Sequence, residues 1–241
     1  MLRFYYVIIR NIFRAPYIMP PMRDMAKHKD RYTFEERYAY AQKIINYMKD
    51  TAHVHTEVYG EENLPQEGGY VMFPNHQGKY DALGIIYAHK KPCTFVMDKA
   101  KSYTFLVREI VNLIEAKRIV LNDVRQGLTI INQMTAEVKK GRRYIIFSEG
   151  GYGNNHNKVQ EFKPGSFKSA MRAKAPIVPV CLIDSYKVFT NPRFWEPVTT
   201  KVIFLKPLYY EDYKDMKSPE IAQLVRKRII DTMRLYGVDG N

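Results

Sequence analysis

The sequence predicts an α/β fold: a mixed, largely parallel central sheet flanked by helices, with a small N-terminal helical appendage. Short apolar runs at 70–73, 94–97, 143–147 and 177–183 have the length and near-continuous hydrophobicity of strands buried on both faces. Segments of helical period separate them, the alternation that builds parallel sheets. The 241 residues suit one such domain plus an appendage, and an apolar content of 46% is enough for a sizeable core. The appendage is placed at residues 1–51 and the α/β domain at 52–241.

Residues 1–14 read as one helix. At ~100° per residue, Arg3, Arg10 and Arg14 fall within about 40° of one another, and the rest of the circumference is almost wholly apolar. A narrow cationic stripe on an apolar cylinder suits a helix lying in an anionic interface, or one docked on the core with its arginines outward. Pro16, Pro20 and Pro21 are expected to end it. Thr33-Phe34-Glu35-Glu36 is a capping-box signature, so a second helix should run over about 34–48. Residues 52–59 alternate like a strand. His53 and His55 share one face of it, but no third ligand accompanies them, so a structural role is expected rather than a metal.

After a turn at 60–69 comes the run Tyr70-Val71-Met72-Phe73, which Pro74 closes. Asn75-His76-Gln77-Gly78-Lys79-Tyr80-Asp81 follows, leading into apolar residues at helical spacing (Leu83, Ile86, Tyr87). His76 therefore belongs in a strand-to-helix loop, where open α/β sheets place their ligands. Asp81, about one turn into the helix, can reach back to one imidazole nitrogen and fix the tautomer, leaving the other to take a proton from a hydroxyl.

A strand at 94–97, a helix at 103–116 and a basic segment, 117–125, come next. Residues 126–140 are amphipathic and helical, with Gly141 as a C-terminal stop. The strand at 143–147 runs into Ser148-Glu149-Gly150-Gly151-Tyr152-Gly153, whose glycines leave backbone amides open to an anionic oxygen. This run is no dinucleotide fingerprint, because His156 stands where a third glycine is needed. A loop and helix at 162–174, strands at 177–183 and 201–205, and a final helix at 221–235 started by Ser218-Pro219-Glu220 complete the chain.

These segments, in this order, resemble the glycerolipid acyltransferase family that includes the 1-acylglycerol-3-phosphate acyltransferases. The family's Asn-His-x4-Asp block is matched at 75–81, its Phe-Pro-Glu-Gly-Thr-Arg-Ser block in part at 147–153, and its Val-Pro-Val-type strand at 178–180. The likeness covers roughly residues 55–210, and the ordered combination is far more specific than any one block. It implies transfer of a fatty acyl group from a thioester, acyl-CoA or acyl carrier protein, to the hydroxyl of a lysophosphatidic-acid-like glycerolipid. His76 would be the general base, Asp81 its orienting carboxylate, and no covalent acyl-enzyme would form. Substrate-binding candidates are Asn75, Glu149, Gly150, Gly151, Arg118, Arg125 and Lys163; neither Arg118 nor Arg125 is preferred over the other. No bound cofactor and no metal are implied. The sequence departs from the family where Ser148, Gly151 and Tyr152 replace its Pro, Thr and Arg. The family Arg contacts substrate phosphate, so that contact either moves to Arg118, Arg125, Lys163 or Lys79, or the acceptor is a lysolipid other than lysophosphatidate.

Composition narrows the partners. A formal net charge of +13 calls for acidic ones. No nucleic-acid module is present, which points to an anionic membrane surface and phosphorylated substrate rather than nucleic acid. The longest apolar N-terminal run is interrupted at Arg10, far short of the roughly 18 residues of a membrane span. The expected location is peripheral, on the cytoplasmic face of a membrane. Cys93 and Cys181 have no metal-like or redox spacing and are expected to be buried thiols. Two other readings remain: a serine hydrolase using Ser148, disfavoured because Ile146 stands where a nucleophile elbow needs glycine, and a membrane-binding protein without catalysis.

Overall fold

A computed structural model describes residues 2–104, 106–193 and 195–241. The elements run α1 (Leu2–Asn11), α2 (Ala15–Lys27), α3 (Phe34–Thr51), β1 (Val54–Tyr59), β2 (Val71–Pro74), α4 (Asp81–Ala88), β3 (Thr94–Asp98), α5 (Val107–Leu113), β4 (Lys117–Ile119), α6 (Val124–Lys139), β5 (Tyr144–Ile145), α7 (Lys168–Ala173), β6 (Ile177–Ile183), α8 (Lys187–Thr190), β7 (Val198–Phe204), α9 (Tyr210–Tyr213) and α10 (Ser218–Leu235). The strands form a sheet in the order β1-β7-β6-β2-β5-β3-β4. β2 pairs in parallel with β5 and β6, and β3 with β4 and β5. β7 runs antiparallel to β6 and parallel to β1. The expected mixed, largely parallel sheet is thus present. The carboxyl ends of β2 to β6 all open on one edge.

The central strands are buried on both faces, and the period of two sorts their side chains between two cores. Val71 and Phe73 face one side, where Phe73 stacks on Phe167 at 4.1 Å among residues of α6, α7 and α10. Tyr70 and Met72 face the other, against α3, α4 and α5. Each fully buried side chain of this size is worth about 1.5–3 kcal/mol, which explains the polarity of the helices. The Thr33 capping box opens α3: Glu36 N–H donates to Thr33 Oγ1 (3.2 Å) and Thr33 N–H to Glu36 Oε2 (2.8 Å).

Several elements differ from the expectation. The first helix stops at Asn11, and α2 continues through Pro16, Pro20 and Pro21. Pro16 sits in the first turn, where its missing N–H costs nothing. Pro20 and Pro21 remove two interior hydrogen bonds, and α2 is held instead from outside, by buried Met19 and Met22 and by the Arg23–Glu109 pair at 3.0 Å. The helix expected over 103–116 is shortened to α5 because Leu106 has φ +69°, which no α-helix accommodates.

The orientation of α1 is the largest correction. Arg3 points inward, wholly buried, and its Nη2 donates to the carbonyls of Glu196 (2.7 Å) and Ala52. Val7 is buried one turn on. Leu2, Tyr5, Ile9, Ile12 and Phe13, the last 83% exposed, face outward. The arginine stripe therefore does not lie outward as a unit: its first member anchors the helix and the apolar surface faces out.

Candidate active site

His76 lies just past β2, at the edge where the parallel strands end. Asn75 fixes the loop by pairing with the backbone of β6: its Nδ2 donates to Leu182 O (3.0 Å) and its Oδ1 accepts from Leu182 N (2.7 Å). His76 N–H then donates to Glu149 Oε1 (2.9 Å), and Nδ1 donates to Asp81 Oδ2 (2.7 Å). An ionised carboxylate only accepts, so the proton lies on Nδ1 and the nitrogen left for a substrate is Nε2. The ring stacks on Phe147 (4.1 Å) and meets Tyr152 edge-on (4.5 Å). The imidazole side chain stays 16% exposed, so a substrate can reach it.

Asp81 opens α4 rather than lying a turn inside it, and a helix N-terminus favours a negative charge. It is fully buried and surrounded by donors. Oδ2 also accepts from Gln77 N (2.5 Å) and Gly78 N (2.8 Å), and Oδ1 from Ser185 Oγ (2.5 Å). Gln77 holds Ser185 in turn: its Oε1 accepts from Ser185 N (3.0 Å), while its Nε2 donates to Leu182 O (2.8 Å) and Asn157 Oδ1 (2.9 Å). A buried carboxylate without such donors would cost several kcal/mol.

Glu149 is nearly as buried, and its Oε2 accepts from Gln160 Nε2 (2.9 Å). Burial pushes its carboxyl up to about 7, against the pull of the His76 and Gln160 hydrogen bonds, with the charge of Asp81 adding to the rise. Gly150 has φ +78°, a conformation costly for any other residue, and Lys163 Nζ packs so closely over it that a Cβ would collide.

Of the sequence-derived candidates, His76, Asp81, Glu149, Gly150, Gly151 and Lys163 gather here. Asn75 is buried and pairs with both backbone groups of Leu182, so it braces the loop. Arg118 is also turned elsewhere, donating to Ser102 Oγ (3.0 Å) and Asn112 Oδ1 (2.6 Å) and stacking on Tyr103. Arg125 is exposed on the first turn of α6. Ser148 is buried and its hydroxyl pairs with Ser166 Oγ (2.8 Å), not with a base, which argues against it as a nucleophile. Sequence reasoning missed Gln77, Ser185, Gln160 and Lys101. Lys101 Nζ lies 5.3 Å from the Tyr152 ring centroid. Ser185 carried a usable signal, its place just beyond a buried strand; the others carried none.

The chain belongs to the Acyltransferase family, whose model matches residues 55–183, more than half of its length. It is 26% identical over 201 residues to the 1-acyl-sn-glycerol-3-phosphate acyltransferase of Saccharomyces cerevisiae, covering 82% of this chain and 66% of that protein. To the mouse 1-acyl-sn-glycerol-3-phosphate acyltransferase alpha it is 28% identical over 202 residues, covering 78% and 66%. To a probable 1-acyl-sn-glycerol-3-phosphate acyltransferase of Mycoplasma genitalium it is 25% identical over 235 residues, covering 92% and 82%. The chain thus spans 66% of the length of the yeast and mouse relatives. The crystal structure of the 1-acyl-sn-glycerophosphate (LPA) acyltransferase PlsC from Thermotoga maritima shares the fold, with a TM-score of 0.73 at 19% identity over 97% of this chain and 94% of that one.

Glu149 gives a stability prediction with a definite sign. A carboxyl raised to about 7 on folding contributes stability that is present below the ordinary value of 4.5 and lost as pH rises through 7. Replacing it by Glu149→Gln should remove that dependence, so the variant gains on the native protein by on the order of 3 kcal/mol between pH 4.5 and 8. Urea midpoints measured across this range should diverge; parallel curves would rule out a protonated Glu149. Gly150→Ala should lower the melting temperature by several degrees through its positive φ.

Proposed function

We propose that the protein transfers a fatty acyl group from an acyl thioester to the hydroxyl of a lysophosphatidic-acid-like glycerolipid. The observation that carries this is the solvent-reachable imidazole held by a buried carboxylate at the carboxyl edge of the sheet. His76 Nε2 takes the proton of the acceptor hydroxyl as its oxygen attacks the thioester carbonyl carbon. The C–S bond then breaks, and the thiolate leaves with the proton from the imidazolium. A thioester is already activated, so no protein nucleophile and no acyl-enzyme is needed. The base contributes roughly 10²–10⁴ in rate.

The geometry limits where the oxyanion can be held. The amides of His76, Gln77 and Gly78 are committed to Glu149 and Asp81. The amides of Gly151 and Tyr152, in the glycine run beside the ring, remain as donors to the developing charge. Glu149 acts as a positioning residue through the His76 backbone. Acyl-CoA and acyl carrier protein both fit as donor.

The family's phosphate-binding Arg is Tyr152 here, and cations near the imidazole include Lys163 over Gly150 and Lys101 over Tyr152. They support an anionic acceptor; a lysolipid without a phosphomonoester is the second reading. Peripheral attachment to the cytoplasmic face of a membrane is supported by the outward apolar surface of α1 and the net charge of +13. Phe4 of the same helix lies 4.6 Å from Lys79 in the His76 loop. Among the described residues no helix is long and apolar enough to cross a membrane.

An acceptor panel with and without phosphate, given one radiolabelled acyl thioester, tests the reading. His76→Ala should lose at least about a hundredfold in turnover with an unchanged melting curve; near-native turnover would refute it. Ser185→Ala removes one hydrogen bond to a charged carboxylate, so kcat should fall about tenfold or more with KM little changed, and Ser185→Thr should recover part of it. Equal losses in Ala and Thr, or a change confined to KM, would remove Ser185 as a positioning residue for Asp81.

A further inference from the structure

A second apolar surface stands at the same sheet edge as His76, on the side away from α1. The corner between β4 and α6 exposes Val120, Leu121, Val124 (84% exposed) and Leu128. It is well held. Asp123 caps α6 by accepting from Gln126 N (3.0 Å), and the Gln126 side chain accepts from Val120 N. Tyr103, also exposed, joins it through the Arg118 stack at 5.2 Å. Lone exposed apolar residues are ordinary, but a contiguous group on a fixed corner marks an interaction surface.

The surroundings say what covers it. Lys99, Lys101 and Arg125 are exposed around the corner, and the acidic Asp123 is tied up in the cap. β4 is parallel to β3, so the corner emerges at the carboxyl edge, and Lys101 reaches from it to Tyr152, which touches His76. Apolar tips ringed by lysine and arginine match an anionic lipid interface, where the tips enter the acyl boundary and the cations meet headgroups. An acidic carrier protein would need the cations but not the apolar tips.

We propose that the β4–α6 corner is a second lipid-contacting foot, which with α1 straddles the His76 site and seats it against an anionic membrane. The proposal rests on the acyl-transfer reading for its purpose but not for its test. Two feet fix the orientation of the sheet edge toward the bilayer, which one helix lying in the interface does not. A lysolipid would then pass from the membrane to Nε2 without crossing water.

The test is co-sedimentation of the full chain with phosphatidylcholine–phosphatidylglycerol vesicles. Leu121→Ser, Val124→Ser and Leu128→Ser together remove apolar tips without altering charge. Vesicle partitioning should weaken about tenfold or more, turnover of vesicle-embedded lysolipid should fall with it, and turnover of a water-soluble short-chain lysolipid should not change. Unchanged vesicle binding would overturn the proposal, as would a loss seen only with acyl carrier protein as donor. If the triple variant melts early, Val124→Ser alone decides, since its side chain packs on almost nothing. Absence of acyl transfer by the native protein to any acceptor would overturn the acyl-transfer reading, while vesicle binding would still decide the foot.

Discussion

The site depends on one carboxylate. Asp81 is fully buried, and its two oxygens accept from an imidazole, two loop amides and a serine hydroxyl drawn from two parts of the fold. A buried anion is tolerable only with its acceptor capacity filled. Filling it dictates much around it: the path of the 76–80 loop, which must aim two amides at Oδ2, and the exit of β6, which must deliver Ser185 to Oδ1. The tautomer of His76 is a by-product of the same requirement. The negative charge needs the Nδ1 proton as much as the imidazole needs the carboxylate.

A loop whose amides face carboxylates cannot also present them to an oxyanion, so on the proposed reading the donors come from the glycine run beside the ring. That run in turn needs Gly150 in a left-handed conformation under Lys163. Glu149 links the two halves, holding the His76 backbone with one oxygen and Gln160 with the other. Two carboxylates therefore serve one imidazole in different ways, one through the ring and one through the main chain. Burial, with the charge of Asp81 adding to it, pushes the Glu149 carboxyl up to about 7, whereas Asp81 accepts from four donors.

Much of this was legible in the chain. The sheet class followed from unbroken apolar runs, and the His76–Asp81 pair from a spacing of five across a strand-to-helix loop, because both ends of that interaction are local. What escaped was long-range or undetermined in sign. Ser185 meets Asp81 across 104 positions, and Gln77 reads as an ordinary loop residue until its partner is known. The helical wheel of residues 1–14 groups Arg3 with Arg10 and Arg14, but the helix ends at Asn11 and Arg3 alone turns inward, where the carbonyls of Ala52 and Glu196 accept from it. Leu106 has no chemical signal for φ > 0, so the late start of the helix there was unreadable. The domain boundary at residue 51 separates helices that nonetheless pack on the sheet: Tyr38 donates to the carbonyls of Ile86 and His89 at 3.0 Å.

Replacing the family Arg by Tyr152 changes what the wall of the site can recognise. A guanidinium offers a planar fork that grips a phosphate through two parallel hydrogen bonds; a lysine ammonium is a compact, mobile point charge. On the proposed reading, Lys163 and Lys101 approach from different elements, one over Gly150 and one over the Tyr152 ring. An anion between them is attracted but not fixed in orientation. Tyr152 meanwhile meets the imidazole edge-on with an aromatic surface in place of a charged one. On the proposed reading, fixing the hydroxyl against Nε2 then falls on the rest of the acceptor, above all its acyl chain and the interface that holds it. On the same reading, a weaker grip on the headgroup is offset by a membrane interface that positions the acceptor, the role proposed for the apolar surfaces on either side of the site.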